Sequence, residues 1–165
     1  MKRRAWIWAA AVLLLSPLTA AASVRADAAP QSTTAVVKTA FNTKLKKTIL
    51  VDAAGRTLYM FTVDVNGKDT ICTPQGPYGA ECPTIWPPLT SAGAPRGGPG
   101  VKASLLAVYK RRDGKRQVTY NRHPLYYFHG DPNTPPGDKK PGDVRGEGFA
   151  QQWYVVSPNG TPIRK

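Results

Sequence analysis

The chain carries an internal repeat, in which one segment recurs 67 residues later and no gap is needed. Leu58–Asp64 returns as Leu125–Asp131, and Trp86 returns as Trp153 in the same register. The same spacing pairs Val51 with Val118, Asn66 with Asn133, Pro74 with Pro141, Gly79 with Gly146, Gly93 with Gly160 and Pro95 with Pro162. Because self-similarity at one fixed spacing indicates a duplicated structural unit, we predict two copies, at about 36–98 and 101–165.

The N-terminus has the pattern of an export signal. Lys2-Arg3-Arg4 precedes an apolar run, and Ala20-Ala21-Ala22 offers small residues to a signal peptidase. We predict a signal peptide at 1–22, a flexible leader at 23–35 and one β domain at 36–165, in a periplasmic or secreted bacterial protein. The apolar run is too short for a transmembrane helix, and no cysteine lies near the cleavage site. The mature chain is therefore expected to have neither a transmembrane helix nor a lipid anchor.

The balance of charge is strongly basic. The formal net charge of +13 would fall by three, to +10, on removal of Lys2, Arg3 and Arg4 with the signal peptide. Such a charge favours anionic partners, so an anionic envelope component or a small ligand is expected. The densest basic cluster is either a solvated hairpin tip or an anion contact; its members are Lys110, Arg111, Arg112, Lys115 and Arg116. Nucleic acid is an unlikely partner, because no aromatic stacking pattern accompanies the cluster.

The two cysteines, Cys72 and Cys82, have two interpretations. An even number of cysteines in an exported chain favours a structural disulfide, which would close a short loop rich in proline and glycine. A redox-active pair is the alternative, although the spacing is not Cys-x-x-Cys.

Strand-forming residues dominate the mature chain, and no long stretch has the periodicity of a helix. We predict an all-β fold, in which two small three-stranded meanders pack as one pseudo-twofold sheet or sandwich. Tyr59 and Phe61 share one strand face, and Trp86 and Trp153 are expected to fill the core. Strands are expected at 36–41, 48–51, 57–63, 104–110, 116–120, 125–129 and 152–156, with an irregular or edge segment at 85–89 where Pro87 and Pro88 cannot donate to a ladder.

The repeated segment carries the motif Y-x-[FWY]-x-x-D twice, as Tyr59, Phe61 and Asp64 and again as Tyr126, Phe128 and Asp131. Around it stand Asp52-x-x-Gly55, the two cysteines, Trp86-Pro87-Pro88-Leu89 and Gly137-Asp138. From about Ile49 to Gly160 the chain resembles the bacterial secreted-repeat family, described as predicted lipoproteins with a Yx(FWY)xxD motif. The resemblance implies an exported protein built from tandem β units, and it implies no catalytic residue.

The motif residues have structural and functional interpretations. Asp64 and Asp131 could each fix an Asx turn, or belong to weak cation sites that also include Asn66 and Asp69 in the first copy and Asn133, Asp138 and Asp143 in the second. Tyr59 and Tyr126 fit core aromatics with a polar tip, or residues for ligand stacking or electron transfer.

A metal site is conceivable in the second copy alone. His123, His129 and Asp131 lie on one side of the predicted strand, and imidazole suits copper or zinc. The first copy has Arg56 and Thr62 at the positions matching the two histidines. No cofactor is expected on balance, with a metal ion or haem as the alternative.

The function indicated by these features is a non-enzymatic ligand-binding or envelope-binding module. The alternatives are a metal or redox accessory protein, and a hydrolase acting on the cell wall through Asp64 and Asp131. No Gly-x-Ser-x-Gly elbow is present, and neither cysteine lies beside an identifiable base.

Overall fold

The structure, a computed structural model, describes residues 33–64, 70–130 and 136–164. The predicted signal peptide, most of the predicted leader and the motif residue Asp131 lie outside these residues. The described part is nearly all β, which confirms the predicted fold class. Its strands are β1 (Val36–Asn42), β2 (Lys47–Asp52), β3 (Tyr59–Phe61), β4 (Arg96–Gly97), β5 (Leu106–Lys110), β6 (Arg116–Tyr120), β7 (His123–Pro124) and β8 (Trp153–Val155).

Three small sheets organise these strands. The first has the order β2-β1-β4, the second pairs β3 with β8, and the third has the order β5-β6-β7. The second copy therefore contains a three-stranded meander, but its third strand is His123–Pro124, where a turn was predicted. In the first copy, Thr57 makes one bridge to Val51 of β2, and the third strand, β3, pairs with β8 from the other copy. Strand β1 also gains a short parallel partner in β4, which sequence patterning did not indicate.

The hairpin turns follow the residues that sequence chemistry assigns to them. Asn42 Oδ1 accepts the N–H groups of Lys44 and Leu45 and so closes the β1–β2 turn. After β2, Gly55 N–H donates to the Asp52 carbonyl at 3.0 Å, and Gly55 has a φ of +83°. Glycine adopts this left-handed conformation without the steric penalty of a Cβ.

The two copies meet at their motif tyrosines. The N–H of Tyr59 donates to the carbonyl of Tyr126 at 2.9 Å, and the N–H of Tyr126 donates to the carbonyl of Tyr59 at the same distance. Such a reciprocal pair is the narrow antiparallel ladder unit. The motif segments are thus direct neighbours in the fold, although 67 residues separate them in the sequence.

Matched contacts recur around this junction. Trp86 N–H donates to the carbonyl four residues before it, and Trp153 N–H does the same. His129 N–H donates to the Ile85 carbonyl, and the corresponding Thr62 N–H donates to the Gln152 carbonyl. These pairs agree with the predicted duplication for the segments that they join, and the twofold relation over the whole chain stays a prediction.

Proline accounts for one difference between the copies. Strand β8 pairs with β3 over three residues, whereas Tyr126 makes only isolated bridges, to Tyr59 and Pro88. The predicted strand at 125–129 is therefore wrong, since only Tyr126 makes bridges within it. Pro87 and Pro88 carry no N–H, so these two residues can only accept, as Pro87 does when Tyr127 N–H donates to its carbonyl.

The repeated strands bury side chains on both faces. Tyr59, Phe61 and Val155 belong to one apolar cluster, while Leu58 and Met60 belong to another. Alternation along a strand sends neighbouring side chains to opposite faces. The motif strands are therefore central, as their apolar character on both faces predicts.

The disulfide between Cys72 and Cys82 is present, which confirms the structural interpretation of the two cysteines. Cys82 begins the short helix α1 (Cys82–Ile85), where Pro83 occupies the first turn, a position that tolerates a residue without an N–H. In the chain-entropy model a disulfide closing so short a loop stabilises the fold by roughly 2–3 kcal/mol. Across the described ranges, no helix combines the length and apolar character needed to cross a membrane.

Candidate functional site

Four aromatic rings, two from each copy, form one continuous stack in the core. Phe61 lies parallel to Trp153 at 4.2 Å between ring centroids, Trp153 lies parallel to Trp86 at 3.9 Å, and Trp86 lies against Phe128 at 4.4 Å. The motif tyrosines meet this stack edge-on. Tyr59 contacts Trp86 and Tyr126 contacts Trp153, with centroids 5.5 and 5.1 Å apart. Offset-stacked and edge-to-face pairs are the favoured geometries for aromatic rings, so this stack is a specific arrangement and not merely filled volume.

A glycine permits the close packing at one end of the stack. A Cβ on Gly146 would lie 2.7 Å from the Trp86 ring and 2.9 Å from the Phe128 ring. These distances are shorter than real carbon contacts, so any larger residue would have to displace a ring. Gly146 also donates its N–H to the Tyr59 hydroxyl at 3.3 Å.

Each motif tyrosine hydrogen-bonds to a carboxylate of the other copy. The Tyr126 hydroxyl donates to Asp64 Oδ2 at 2.5 Å, and the Tyr59 hydroxyl donates to Asp138 Oδ2 at 2.7 Å. The second oxygen of each carboxylate accepts a backbone N–H seven residues further on, from Ile71 and Arg145 respectively. The two pairs therefore cross between the copies.

The position of Asp64 in the first copy is held by Asp138 in the second. Asp64 N–H donates to the Phe61 carbonyl, and Asp138 N–H donates to the Phe128 carbonyl. These carboxylates lie 74 residues apart, so the copies depart here from the ungapped spacing of 67. Gly137 makes this possible, because a Cβ there would lie 2.0 Å from the backbone of His129.

Burial sets the ionisation of these groups. It raises the pKa of the Asp64 carboxyl to about 6, although the Tyr126 hydroxyl, the Ile71 N–H and the Arg111 charge each lower it. The pKa of Asp138 is also raised, again by burial first. The pKa of each tyrosine lies well above its usual value, because burial and the adjacent carboxylate both oppose ionisation. The hydroxyls are thus protonated donors, and the carboxylates are acceptors with raised basicity.

Arg111 is part of this buried network. Its side chain lies within the protein, with the residue only 2% exposed. It donates to both oxygens of Asp113 at 3.1 Å, to Gln117 Oε1 at 2.6 Å and to the Cys72 carbonyl at 2.8 Å. Gln117 in turn donates to the Leu125 carbonyl. Arg111 therefore ties the β5–β6 hairpin to the disulfide loop, and its charge is not offered to an external anion.

The other basic residues of the hairpin are on the surface. Lys110, Arg112, Lys115 and Arg116 are exposed at the β5–β6 tip. Gly114 N–H donates to the Arg111 carbonyl and closes the predicted Asp113-Gly114 turn. A depression of about 370 Å³ lies beside the tip, lined by Lys115, Arg116, Gly114 and the segment Thr90–Ala92.

The two histidines have different surroundings. His123 is half-buried, and its Nδ1 has no hydrogen-bond partner. His129 is exposed and lines a cavity of about 210 Å³ with Arg56, Asp138 and Lys139. The pKa of both side chains is lowered, for His123 by burial and for His129 by burial and then the charges of Arg56 and Lys139.

Within the described residues, no group of three or more histidine, cysteine or acidic side chains could hold a metal ion. Asp131, the third member of the predicted copper or zinc site, lies outside them, so that site stays a prediction. The predicted pairing of Asp64 with Asp131 for hydrolysis is untested for the same reason. The Asp143 carboxylate, a predicted cation ligand, is engaged by Lys44 Nζ and the Lys139 N–H, each at 3.1 Å.

A second cluster of charged and aromatic residues surrounds Arg56. Its guanidinium lies 4.3 Å above the Tyr127 ring and 2.7 Å from Asp52 Oδ2. The Tyr127 hydroxyl donates to the same Asp52 oxygen at 3.0 Å. Arg56 and Tyr127 form a wall between the 210 Å³ cavity and one of about 390 Å³. Because Asp52 neutralises Arg56, this wall carries little net charge.

Three features were not predicted from the sequence: the buried hydrogen bonds of Gln117, the burial of Arg111 and the pairing of Asp138 with Tyr59. Gly137 was the available signal for the last of these, since glycine allows a close approach of the backbone. No signal distinguished Arg111 from its basic neighbours.

A protein-family match lies within the second copy of the repeat. Residues 107–157 match the model of a protein family described as a secreted repeat of unknown function. Neither a curated protein nor a solved structure matches the chain. The family similarity and the disulfide fit an extracellular or periplasmic location. The predicted resemblance to a secreted-repeat family is thereby confirmed for residues 107–157.

Proposed function

We propose that this protein is an exported, non-enzymatic β module that binds an anionic component of the cell envelope through the tip of the β5–β6 hairpin. The observation that carries the proposal is the set of four exposed cations at this tip: Lys110, Arg112, Lys115 and Arg116. The acidic residue among them, Asp113, is engaged by the buried Arg111. The tip therefore keeps a local excess of positive charge.

The chemistry that this tip suits is a closely spaced series of phosphate groups. Arginine and lysine both recognise phosphate, arginine by paired donors and lysine as a point charge. The depression beside Lys115 and Arg116 gives the bound group a place next to the backbone of Thr90–Ala92. An acidic lipid surface and a phosphate-containing polymer share this chemistry.

Two matched variants test the location of binding. Lys115→Gln/Arg116→Gln and Lys46→Gln/Lys47→Gln each remove two exposed positive charges, at the β5–β6 and β1–β2 hairpins respectively. At about 1 kcal/mol for each cation near an anionic surface, the first variant should bind roughly thirtyfold more weakly, and the second should bind nearly as the parent does. The measurement is sedimentation with phosphatidylglycerol vesicles, with phosphatidylcholine vesicles as the neutral control and soluble polyphosphate as the competitor.

Ionic strength provides the second arm of the same test. Binding should weaken as salt rises, because screening shortens the reach of surface charges to about 8 Å at physiological ionic strength. Competition by polyphosphate would identify phosphate as the recognised group, whereas binding that polyphosphate leaves unchanged would identify the lipid surface. Equal losses in the two variants, or salt-independent binding, would show that the β5–β6 tip is not the site.

A further inference from the structure

We infer that the core contains a one-electron redox site, in which the stacked Trp86 and Trp153 indoles pass an oxidising equivalent to Tyr126 or Tyr59. This redox site is separate from envelope binding and contains none of the four exposed tip residues. Two features support it: the crossed tyrosine–carboxylate pairs and the aromatic stack. Each copy contributes one of the tyrosines and one of the stacked indoles.

The indoles are the entry point for the oxidising equivalent. They lie parallel at 3.9 Å and 4°, so that a positive charge formed on one ring can spread over both. Each indole is almost completely buried. Both residues nevertheless line a cavity of about 190 Å³, together with Tyr78 and Phe149. An oxidant in this cavity would approach the stack without unfolding the protein.

The tyrosines are the destination, because each has a proton acceptor in place. Oxidation of a phenol makes its hydroxyl strongly acidic, so the electron leaves readily only where a base can take the proton. Tyr126 has Asp64 at 2.5 Å and Tyr59 has Asp138 at 2.7 Å. Burying a carboxylate costs free energy, and a core tyrosine could be satisfied by a carbonyl instead, as Tyr120 is by Pro158.

The step balances with an external one-electron oxidant, such as a high-potential metal complex. The oxidant takes one electron from the indole pair and is reduced by one unit. The indole radical cation then takes one electron from Tyr126, while the O–H bond of Tyr126 breaks and its proton forms a new O–H bond on Asp64. The products are a neutral tyrosyl radical, the original indole and a protonated carboxyl group. A one-electron reductant reverses the sequence.

Stopped-flow mixing of the purified protein with hexachloroiridate(IV) tests the inference, with optical absorption and electron paramagnetic resonance as readouts. The parent protein should form a long-lived tyrosyl radical. Because one oxidising equivalent can reach either tyrosine, Tyr126→Phe and Tyr59→Phe should each still form a tyrosyl radical, and the double variant should lose it. Tyr120→Phe is the matched control, because this tyrosine is equally buried but donates to a carbonyl; it should retain the full signal.

Proton transfer is tested separately in the Tyr59→Phe background, where Tyr126 is the remaining site. Asp64→Asn should slow tyrosyl formation by about a hundredfold, the lower range for a positioned base. The rate should also fall as pH drops through about 6, where Asp64 becomes protonated. Among the described residues, Tyr126 and Arg111 are the ionisable side chains that act on Asp64, and the pKa of Tyr126 lies well above its usual value. The fall near pH 6 is therefore assigned to the carboxylate.

Near-ultraviolet circular dichroism identifies variants that fail to fold. If the double phenylalanine variant fails, the rates in the Asp64 series decide the question. A signal that persists at full strength in a folded double variant, disappears in Tyr120→Phe, or forms at the parental rate in Asp64→Asn would overturn the inference and leave the stack a packing element.

Discussion

Replacement of Trp153 by alanine is expected to lower the free energy of unfolding by about 4 kcal/mol, in the range for large aromatic truncations in a packed core. The indole lies parallel to both Phe61 and Trp86, so its loss exposes a face of each remaining ring. Tyr126 also loses its edge contact. Because these partners belong to both copies of the repeat, the cavity would weaken the junction between them.

Urea denaturation of the parent and variant measures this effect. Phe41→Ala is the control, because Phe41 is 65% exposed and its truncation should change the free energy of unfolding by less than about 0.5 kcal/mol. If Trp153→Ala lowers the free energy of unfolding by less than about 1 kcal/mol, the aromatic stack does not stabilise the core.

Replacement of Arg111 by alanine has the second-largest expected effect, a loss of about 3 kcal/mol in the free energy of unfolding. The guanidinium is enclosed and serves Asp113, Gln117 and the Cys72 carbonyl at once. Removal of the cation would leave these acceptors without their donor inside the protein, which costs more than the bond itself contributes.

Lys115→Ala is the matched control, since it removes a cation from the same hairpin at an exposed position. Its expected effect lies within about 0.5 kcal/mol. If Arg111→Ala and Lys115→Ala lower the free energy of unfolding by similarly small amounts, in thermal or urea unfolding, the buried network is contradicted. Arg111 would then be a solvent-exposed residue of the hairpin tip.

The strands and turns could be predicted where local chemistry decides the structure. Val36–Asn42 and Arg116–Tyr120 follow from strand-forming residues between turn residues. The Cys72–Cys82 bridge followed from an even count in an exported chain. Each of these features depends on residues close to one another in sequence.

Long-range partners could not be predicted in this way. The pairing of β3 with β8 depends on residues about 94 positions apart, and a three-stranded meander within each copy satisfies the same strand pattern. The ungapped repeat also gave no indication that the carboxylate of the second copy lies 74 residues after Asp64, and not 67. Asp131 fits the motif in sequence, but Asp138 occupies the position that hydrogen-bonds to Tyr59.

Arg111 shows the limit for the candidate site. Five basic residues lie between 110 and 116 and cannot be told apart by residue type. Four of them are exposed. The fifth turns inward because Gln117, Asp113 and the Cys72 carbonyl together satisfy its donors. The Cys72 carbonyl comes from a loop 39 residues earlier, so local sequence gives no indication of this burial.

Each motif tyrosine is held by a carboxylate of the other copy, and a double-mutant cycle on the free energy of unfolding measures this pairing. Tyr126→Phe combined with Asp64→Asn should give a coupling energy of about 1.5 kcal/mol, as expected for a hydrogen bond to a charged group. Tyr59→Phe combined with Asp64→Asn, two changes within one motif, should give less than about 0.5 kcal/mol. Coupling between Tyr59 and Asp64, with none between Tyr126 and Asp64, would show that the carboxylate does not hold the tyrosine of the other copy.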